Sequence, residues 1–224
     1  MKYIIGNWKS NFWEKDISIW FEKLSQYLNK NKTEFTNLII VICPPFLYLP
    51  QVANLISKHK LPIHIGAQNI SAYQNGAYTG EVNAQQIKEY ASYVLIGHSE
   101  RRKYLQENDN QLNEKVKRAT EMGICPVYCI SELGNNIPQE VTIVAYEPIF
   151  AIGTGKADTS VNANCIAEKI KALDSNRKVI YGGSVNQYNI DDFLKESNID
   201  GVLPGKTSLD PQIFGEMLIN ASKT

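Results

Sequence analysis

Glu147 ends a short run of β-branched and apolar residues and is followed directly by Pro148, which restricts the backbone of the glutamate. The next loop carries Gly153 and Gly155 in an otherwise apolar body. A loop of this composition can close over a ligand and expel water, and loss of water makes a carboxylate a stronger base. The stretch therefore predicts a strand tip that carries an acid beneath a loop that can act as a lid. The residues of this candidate lid are Pro148, Ile149, Phe150, Ala151, Ile152, Gly153, Thr154, Gly155, Lys156, Ala157 and Asp158.

Further polar or glycine-containing groups follow other apolar runs: Asn7 and Lys9, Gln68 and Asn69, His98 and Glu100, Ser184, and Gly205 with Lys206. Each has an ordinary explanation when it is taken alone. A lysine after a strand is usually a solvated loop charge, a single histidine is usually structural, and a Gly-Lys pair is usually a surface turn. Their common position after successive strands favours a shared site, because barrel active sites are built at the carboxyl ends of strands.

Eight apolar runs predict the strands: residues 3–5, 38–43, 61–65, 93–96, 124–130, 141–146, 178–181 and 199–203. Helical periodicity separates most of them, and Asp210 with Pro211 marks the start of the last helix. This alternation predicts an α/β fold, either a doubly wound sheet or a (β/α)8 barrel. No G-x-G-x-x-G sequence follows the first strand, which disfavours dinucleotide binding. We expect residues 1–224 to form one domain.

The composition of the chain disfavours several classes of function. The 23 basic and 23 acidic residues cancel, so no global field attracts nucleic acid or a membrane surface, and no apolar run is long enough to span a bilayer. The four cysteines and three histidines show no metal-ligand spacing, and no acidic cluster suggests magnesium. We therefore expect a cytoplasmic protein with free thiols, no metal and a small ligand.

Several motifs resemble the triosephosphate isomerase family, in order and along the whole chain. They are Gly-Asn-Trp-Lys around Asn7, Gly-His-Ser-Glu around His98, Tyr-Glu-Pro-Ile-Phe-Ala-Ile-Gly-Thr-Gly-Lys around Glu147, and Tyr-Gly-Gly-Ser around Ser184. The resemblance implies a (β/α)8 barrel that interconverts dihydroxyacetone phosphate and glyceraldehyde 3-phosphate without a cofactor, in glycolysis and gluconeogenesis.

The resemblance also implies roles for individual residues. Glu147 would be the base, His98 a neutral electrophile, and Lys9 with Asn7 a charged and a neutral donor. Glu100 would be a catalytic or supporting carboxylate, although its position fits a structural partner of Lys9 or of an arginine equally well. Phosphate binding would fall to backbone N–H groups and side chains of Asn7, Lys9, Gly153, Ser184, Gly205 and Lys206.

The resemblance also implies a homodimer. The loop of residues 74–81 matches the loop that docks on a partner, so we expect Thr79 to lie near the partner's active site.

The sequence departs from the family at Lys206, which occupies the place of the second of two consecutive glycines.

Parts of the sequence suggest two other functions. A P-loop nucleotide enzyme is suggested by the two Gly-Lys pairs, but Asp200 and Phe150 occupy the positions where the motif needs its first glycine. A non-enzymatic phosphosugar-binding barrel would need no base at the sixth strand, and Glu147 argues against it.

The connection between the fifth and sixth runs is unusually short. Only residues 133–140 separate Glu132 from Val141. A helix of eight residues advances only about 12 Å, too little to return along a strand and make two turns, whereas an extended chain can reach about 26 Å. We therefore predict that the outer helix is missing here and that an extended strap or single turn replaces it.

Overall fold

Parallel strands form a closed barrel in the computed structural model, which describes residues 1–151, 155 and 157–224. The strands are β1 Lys2–Asn7, β2 Leu38–Cys43, β3 Ile63–Ala67, β4 Tyr93–Ile96, β5 Cys125–Ile130, β6 Ile143–Tyr146, β7 Lys178–Tyr181 and β8 Gly201–Val202. Each strand pairs with the next, and β8 pairs with β1 at Gly201 opposite Tyr3. The (β/α)8 barrel prediction is confirmed.

The helices are α1 Glu14–Asn31, α2 Leu49–His59, α3 Ala84–Lys88, α4 Ser99–Leu105, α5 Asp109–Glu121, α6 Ser160–Leu173, α7 Ile190–Leu194 and α8 Pro211–Ala221. Short 3-10 turns occupy Phe46–Tyr48, Ile149–Ala151 and Lys206–Leu209. The predicted start of α8 is confirmed, since the Asp210 carboxylate accepts hydrogen bonds from the N–H groups of Gln212 and Ile213. None of the helices described is long and apolar enough to cross a membrane.

The strands bury both faces, which explains why they read as nearly continuous apolar runs. One cluster of buried side chains fills the barrel interior, and it includes Ile5, Val41, Leu95, Val127 and Ile180. A larger cluster lies between the barrel and its helices. Because both layers are packed, the tips of the strands have fixed positions on which a site can be built.

No helix lies between β5 and β6, as the short connection predicted. The chain instead forms an irregular strap, residues 131–142, that begins with a turn in which the Asn135 side chain accepts hydrogen bonds from the N–H groups of Ser131 and Glu132. Ile137 packs against the outer core. The Arg177 guanidinium donates to the Ile137 carbonyl oxygen at 3.4 Å.

Candidate active site

A cleft of about 570 Å³ opens at the carboxyl ends of the strands. It brings together seven of the residues predicted from sequence, namely Asn7, Lys9, His98, Gly155, Ser184, Gly205 and Lys206. Glu147, which is only 1% exposed, lies against His98. Residues separated by most of the chain therefore meet at one end of the barrel.

Glu147 follows β6 directly, and its carboxylate is held on two sides. The Ser99 N–H donates to Oε2 at 3.0 Å, and His98 Nε2 lies 3.3 Å from Oε1. Gly182 makes room for the glutamate, because a Cβ at position 182 would lie 2.7 Å from Glu147 Cγ. The sequence showed Gly182 only as part of the Tyr-Gly-Gly-Ser motif, since its contact with Glu147 exists only after β6 and β7 pair.

His98 immediately precedes α4, and its ring is oriented by the backbone. Its Nδ1 accepts a hydrogen bond from the Glu100 N–H at 3.2 Å. A nitrogen that accepts a hydrogen bond carries no proton, so this geometry assigns a neutral imidazole with its proton on Nε2. The Nε2–H group is then a donor next to the carboxylate of Glu147.

Lys9 has a left-handed backbone with φ of 51°, which costs a non-glycine residue about 1–2 kcal/mol. Three contacts hold it there. Its N–H donates to Asn7 Oδ1 at 3.0 Å, its carbonyl oxygen accepts from Gln68 Nε2 at 2.8 Å, and its ammonium group lies 2.5 Å from Glu100 Oε1. The structure thus pairs Glu100 with Lys9, a partnership that the sequence had left open.

Gln68 joins the site in a way that sequence reasoning missed. Its amide also donates to the Cys43 carbonyl oxygen at 2.8 Å, so one side chain links the ends of β1, β2 and β3. The available signal was its place directly after an apolar run, which gave no indication of its partners.

Cys129 lies at the tip of β5, a position that the sequence predicted without a role for the thiol. It points into the barrel and is completely buried. Burial, reinforced by the nearby Glu147 carboxylate, raises the pKa of the Cys129 thiol well above its ordinary value. The thiol is therefore a neutral neighbour of the Glu147 carboxylate.

The far end of the predicted lid is attached to β7. The Tyr181 hydroxyl oxygen accepts a hydrogen bond from the Asp158 N–H at 2.8 Å, and burial raises the pKa of Tyr181 to about 12. Ser184 Oγ donates to the Ala151 carbonyl oxygen at 2.7 Å, at the near end of the lid. The predicted lid residues Ile152, Gly153, Thr154 and Lys156 lie outside the described residues.

The predicted docking loop is exposed throughout. Residues 74–81, including Thr79, are all exposed. Tyr73 and Tyr78 stack with their ring centroids 4.3 Å apart, which braces the base of the loop.

Comparison with known proteins gives a consistent result. A family model described as triosephosphate isomerase matches residues 2–221. The chain is similar to proteins named triosephosphate isomerase from Mesomycoplasma hyopneumoniae strain 232, with 35% identity over 98% of this chain and 99% of the relative, and from Trichodesmium erythraeum, with 35% identity over 96% and 97%. A protein of the same name from Alkaliphilus metalliredigens is 35% identical over 94% of this chain and 96% of its own length.

Proposed function

The chain belongs to the triosephosphate isomerase family, and from that premise we propose how its own residues carry out the reaction. The protein is an isomerase that interconverts dihydroxyacetone phosphate and glyceraldehyde 3-phosphate in glycolysis. The observation that carries the residue assignment is the contact of a buried carboxylate with a neutral imidazole beside a cationic cleft.

Glu147 is the base. It removes a proton from the carbon next to the carbonyl group of dihydroxyacetone phosphate, and the same carboxylic acid returns a proton to the neighbouring carbon. His98 donates from Nε2 to the oxygens of the enediolate, whose negative charge is also stabilised by Lys9 with Asn7. Glu100 supports this arrangement as the partner of the Lys9 ammonium group and through its N–H to His98.

The phosphoryl group is bound by the loops that follow β7 and β8. Gly205, Lys206 and Ser184 line the cleft, and their N–H groups are the proposed donors. Gly153 belongs to the same proposal through the resemblance. The lid, residues 148–158, closes over the substrate and excludes water.

The proposal extends to the whole chain. Residues 1–224 form one domain, an inference supported by the pairing of β1 with both β2 and β8. The protein is a homodimer whose exposed loop carries Thr79 toward the partner's active site. It works in the cytoplasm, in keeping with its glycolytic reaction and its four free thiols.

Replacement of the base tests the assignment. Glu147→Gln keeps the shape of the side chain but removes the proton acceptor, so kcat for glyceraldehyde 3-phosphate in chelator-treated buffer should fall by roughly a thousandfold or more. Binding of a phosphate-bearing transition-state mimic should change far less. Glu132→Gln, at an exposed carboxylate after β5, is the matched control. Near-normal kcat in Glu147→Gln would overturn the role of Glu147, and binding without turnover in the unmodified protein would favour the non-enzymatic barrel.

A further inference from the structure

Lys206 lines the active-site cleft. The phosphate contacts proposed above use only its N–H group and give its ammonium group no role. Lys206 stands where the family has glycine, and a glycine would offer the same backbone N–H. The φ angle of Lys206 is not positive, so the lysine adopts this backbone without left-handed strain. What the residue adds to the cleft is therefore its ammonium group.

The backbone on both sides of Lys206 is anchored. Thr207 Oγ1 donates to the Val185 carbonyl oxygen at 2.7 Å, which ties the segment to the chain after β7. The Ser208 N–H and its hydroxyl group both donate to the Gly205 carbonyl oxygen, at 3.0 and 2.7 Å. Lys206 is thus presented from a fixed support, although its own side chain is exposed.

The charges around the cleft leave Lys206 as the cation without a counter-charge. Lys9 is paired with Glu100 at 2.5 Å. Within the described part of the chain, Lys206 has no ion pair or hydrogen-bonded side-chain partner. Gly205, its neighbour in the chain, lies close to Lys9, since a Cβ built on Gly205 would lie 3.9 Å from Lys9 Nζ. Lys206 is therefore an unpaired cation among the residues that line the cleft.

We propose that the Lys206 ammonium group is a second cation for the substrate phosphoryl group, which makes Lys206 a determinant of affinity for doubly charged phosphate ligands. The inference rests on the proposed phosphate-binding part of the isomerase site. Lys9 already has Glu100 as its counter-charge, whereas Lys206 has none, so a phosphate dianion gains an attraction from Lys206 that N–H groups alone do not supply. The charge also draws anionic substrate into the cleft before it binds.

Substitution of Lys206 separates the side chain from the backbone. Lys206→Gln and Lys206→Gly both keep the N–H group and remove the charge, whereas Lys206→Arg keeps the charge. At an ionic strength of about 0.01 M, the two neutral variants should raise KM for glyceraldehyde 3-phosphate about three- to tenfold, with a much smaller change in kcat. The dissociation constant for inorganic phosphate, measured by calorimetry, should rise by a similar factor, and the difference should shrink at about 0.5 M salt.

Two controls make the test specific. Lys169→Gln removes the same charge from the exposed face of α6 and should leave both constants unchanged. Isomerisation of glyceraldehyde, which lacks the phosphoryl group, should be insensitive to Lys206→Gln.

The inference is overturned if Lys206→Gln binds inorganic phosphate like the unmodified protein, or if Lys169→Gln has the same effect. It is also overturned if the loss is equal for glyceraldehyde. The phosphate titration needs no turnover, so it can be repeated in the Glu147→Gln background. If Lys206→Gln leaves phosphate binding unchanged in that background, the inference about Lys206 is wrong. Retained turnover in Glu147→Gln would instead contradict the proposed catalytic function of Glu147.

Discussion

Two consecutive glycines after β7 each make room for a different functional side chain. Gly182 accommodates Glu147, as described above. Gly183 accommodates the Tyr181 hydroxyl, because a Cβ at position 183 would lie 2.1 Å from that oxygen. The same hydroxyl accepts the hydrogen bond from Asp158 at the end of the lid. Gly183 therefore leaves the space that the Tyr181 hydroxyl needs to hold the end of the lid.

Gly183→Ala should displace the Tyr181 hydroxyl and leave the Asp158 N–H without its acceptor. Affinity for a phosphate-bearing transition-state mimic should fall roughly tenfold, about 1.4 kcal/mol, which is typical of one lost hydrogen bond in a partly buried setting. Tyr181→Phe should give a similar loss without adding a methyl group. Gly134→Ala is the matched control, since a Cβ there meets no atom within 4 Å.

The two substitutions should not be additive, because they break the same hydrogen bond. The measurement is a double-mutant cycle on inhibitor binding. If Gly183→Ala and Tyr181→Phe together cost the sum of their separate effects, Gly183 acts elsewhere and this account of the lid attachment is wrong.

At the scale of elements, the strap between β5 and β6 replaces an outer helix and depends on Arg177. That side chain is only 8% exposed, and its guanidinium donates to Ile137 in the strap while Nε lies 4.0 Å from the Asp174 carboxylate. Burying a cation with few partners costs free energy. The contacts of Arg177 with Ile137 in the strap and with Asp174 offset part of that cost.

Arg177→Met keeps an apolar stem but removes the donor to the strap. We expect the free energy of unfolding to fall by about 1–3 kcal/mol, measured by urea denaturation at a fixed protein concentration. The kcat value should stay close to normal, because Cys129 opposite Ala145 in the β5–β6 ladder holds the strand tips. Lys169→Met, at an exposed position on α6, is the control for loss of a positive charge. A large loss of kcat without a change in the free energy of unfolding would contradict the view that the strap contributes stability while the strands hold the catalytic residues.

At the scale of the whole molecule, formal net charge is zero, so no net electrostatic repulsion opposes self-association. The proposed dimer depends on the loop of residues 74–81, all of which are exposed and therefore accessible to a second copy of the chain.

Thr79→Arg should therefore yield monomers of low activity, since a bulky charge at the loop tip opposes burial against a partner. Sedimentation at micromolar concentration measures the assembly, and kcat measures its consequence. Gln139→Arg introduces the same charge in the exposed strap and should remain dimeric. A fully active Thr79→Arg monomer would show that the neighbouring copy does not support the site.

The sequence by itself predicted the alternation of strands and helices and the missing helix, and the resemblance of its motifs to the triosephosphate isomerase family predicted the barrel. The first two depend on local properties: apolar runs of strand length, and a connection too short for a helix to return along a strand. The assignment of Glu147 as the base stays a prediction. The predicted strand limits agree with the structure within two residues, and differences of two residues occur at β1, β3, β6 and β8. Ladder pairing and not the apolar pattern alone decides where a strand ends.

Only the tertiary structure decided how the site is held. The left-handed backbone of Lys9 is held by Gln68, 59 residues away along the chain, and Glu147 meets the N–H of Ser99, 48 residues away. Ser184 reaches the carbonyl group of Ala151 across a similar gap of 33 residues. None of these partners has a signature in its own neighbourhood, because each contact exists only once the barrel closes and brings the strand ends together. The residue types that perform the chemistry are thus readable locally, whereas their geometry is a property of the closed barrel.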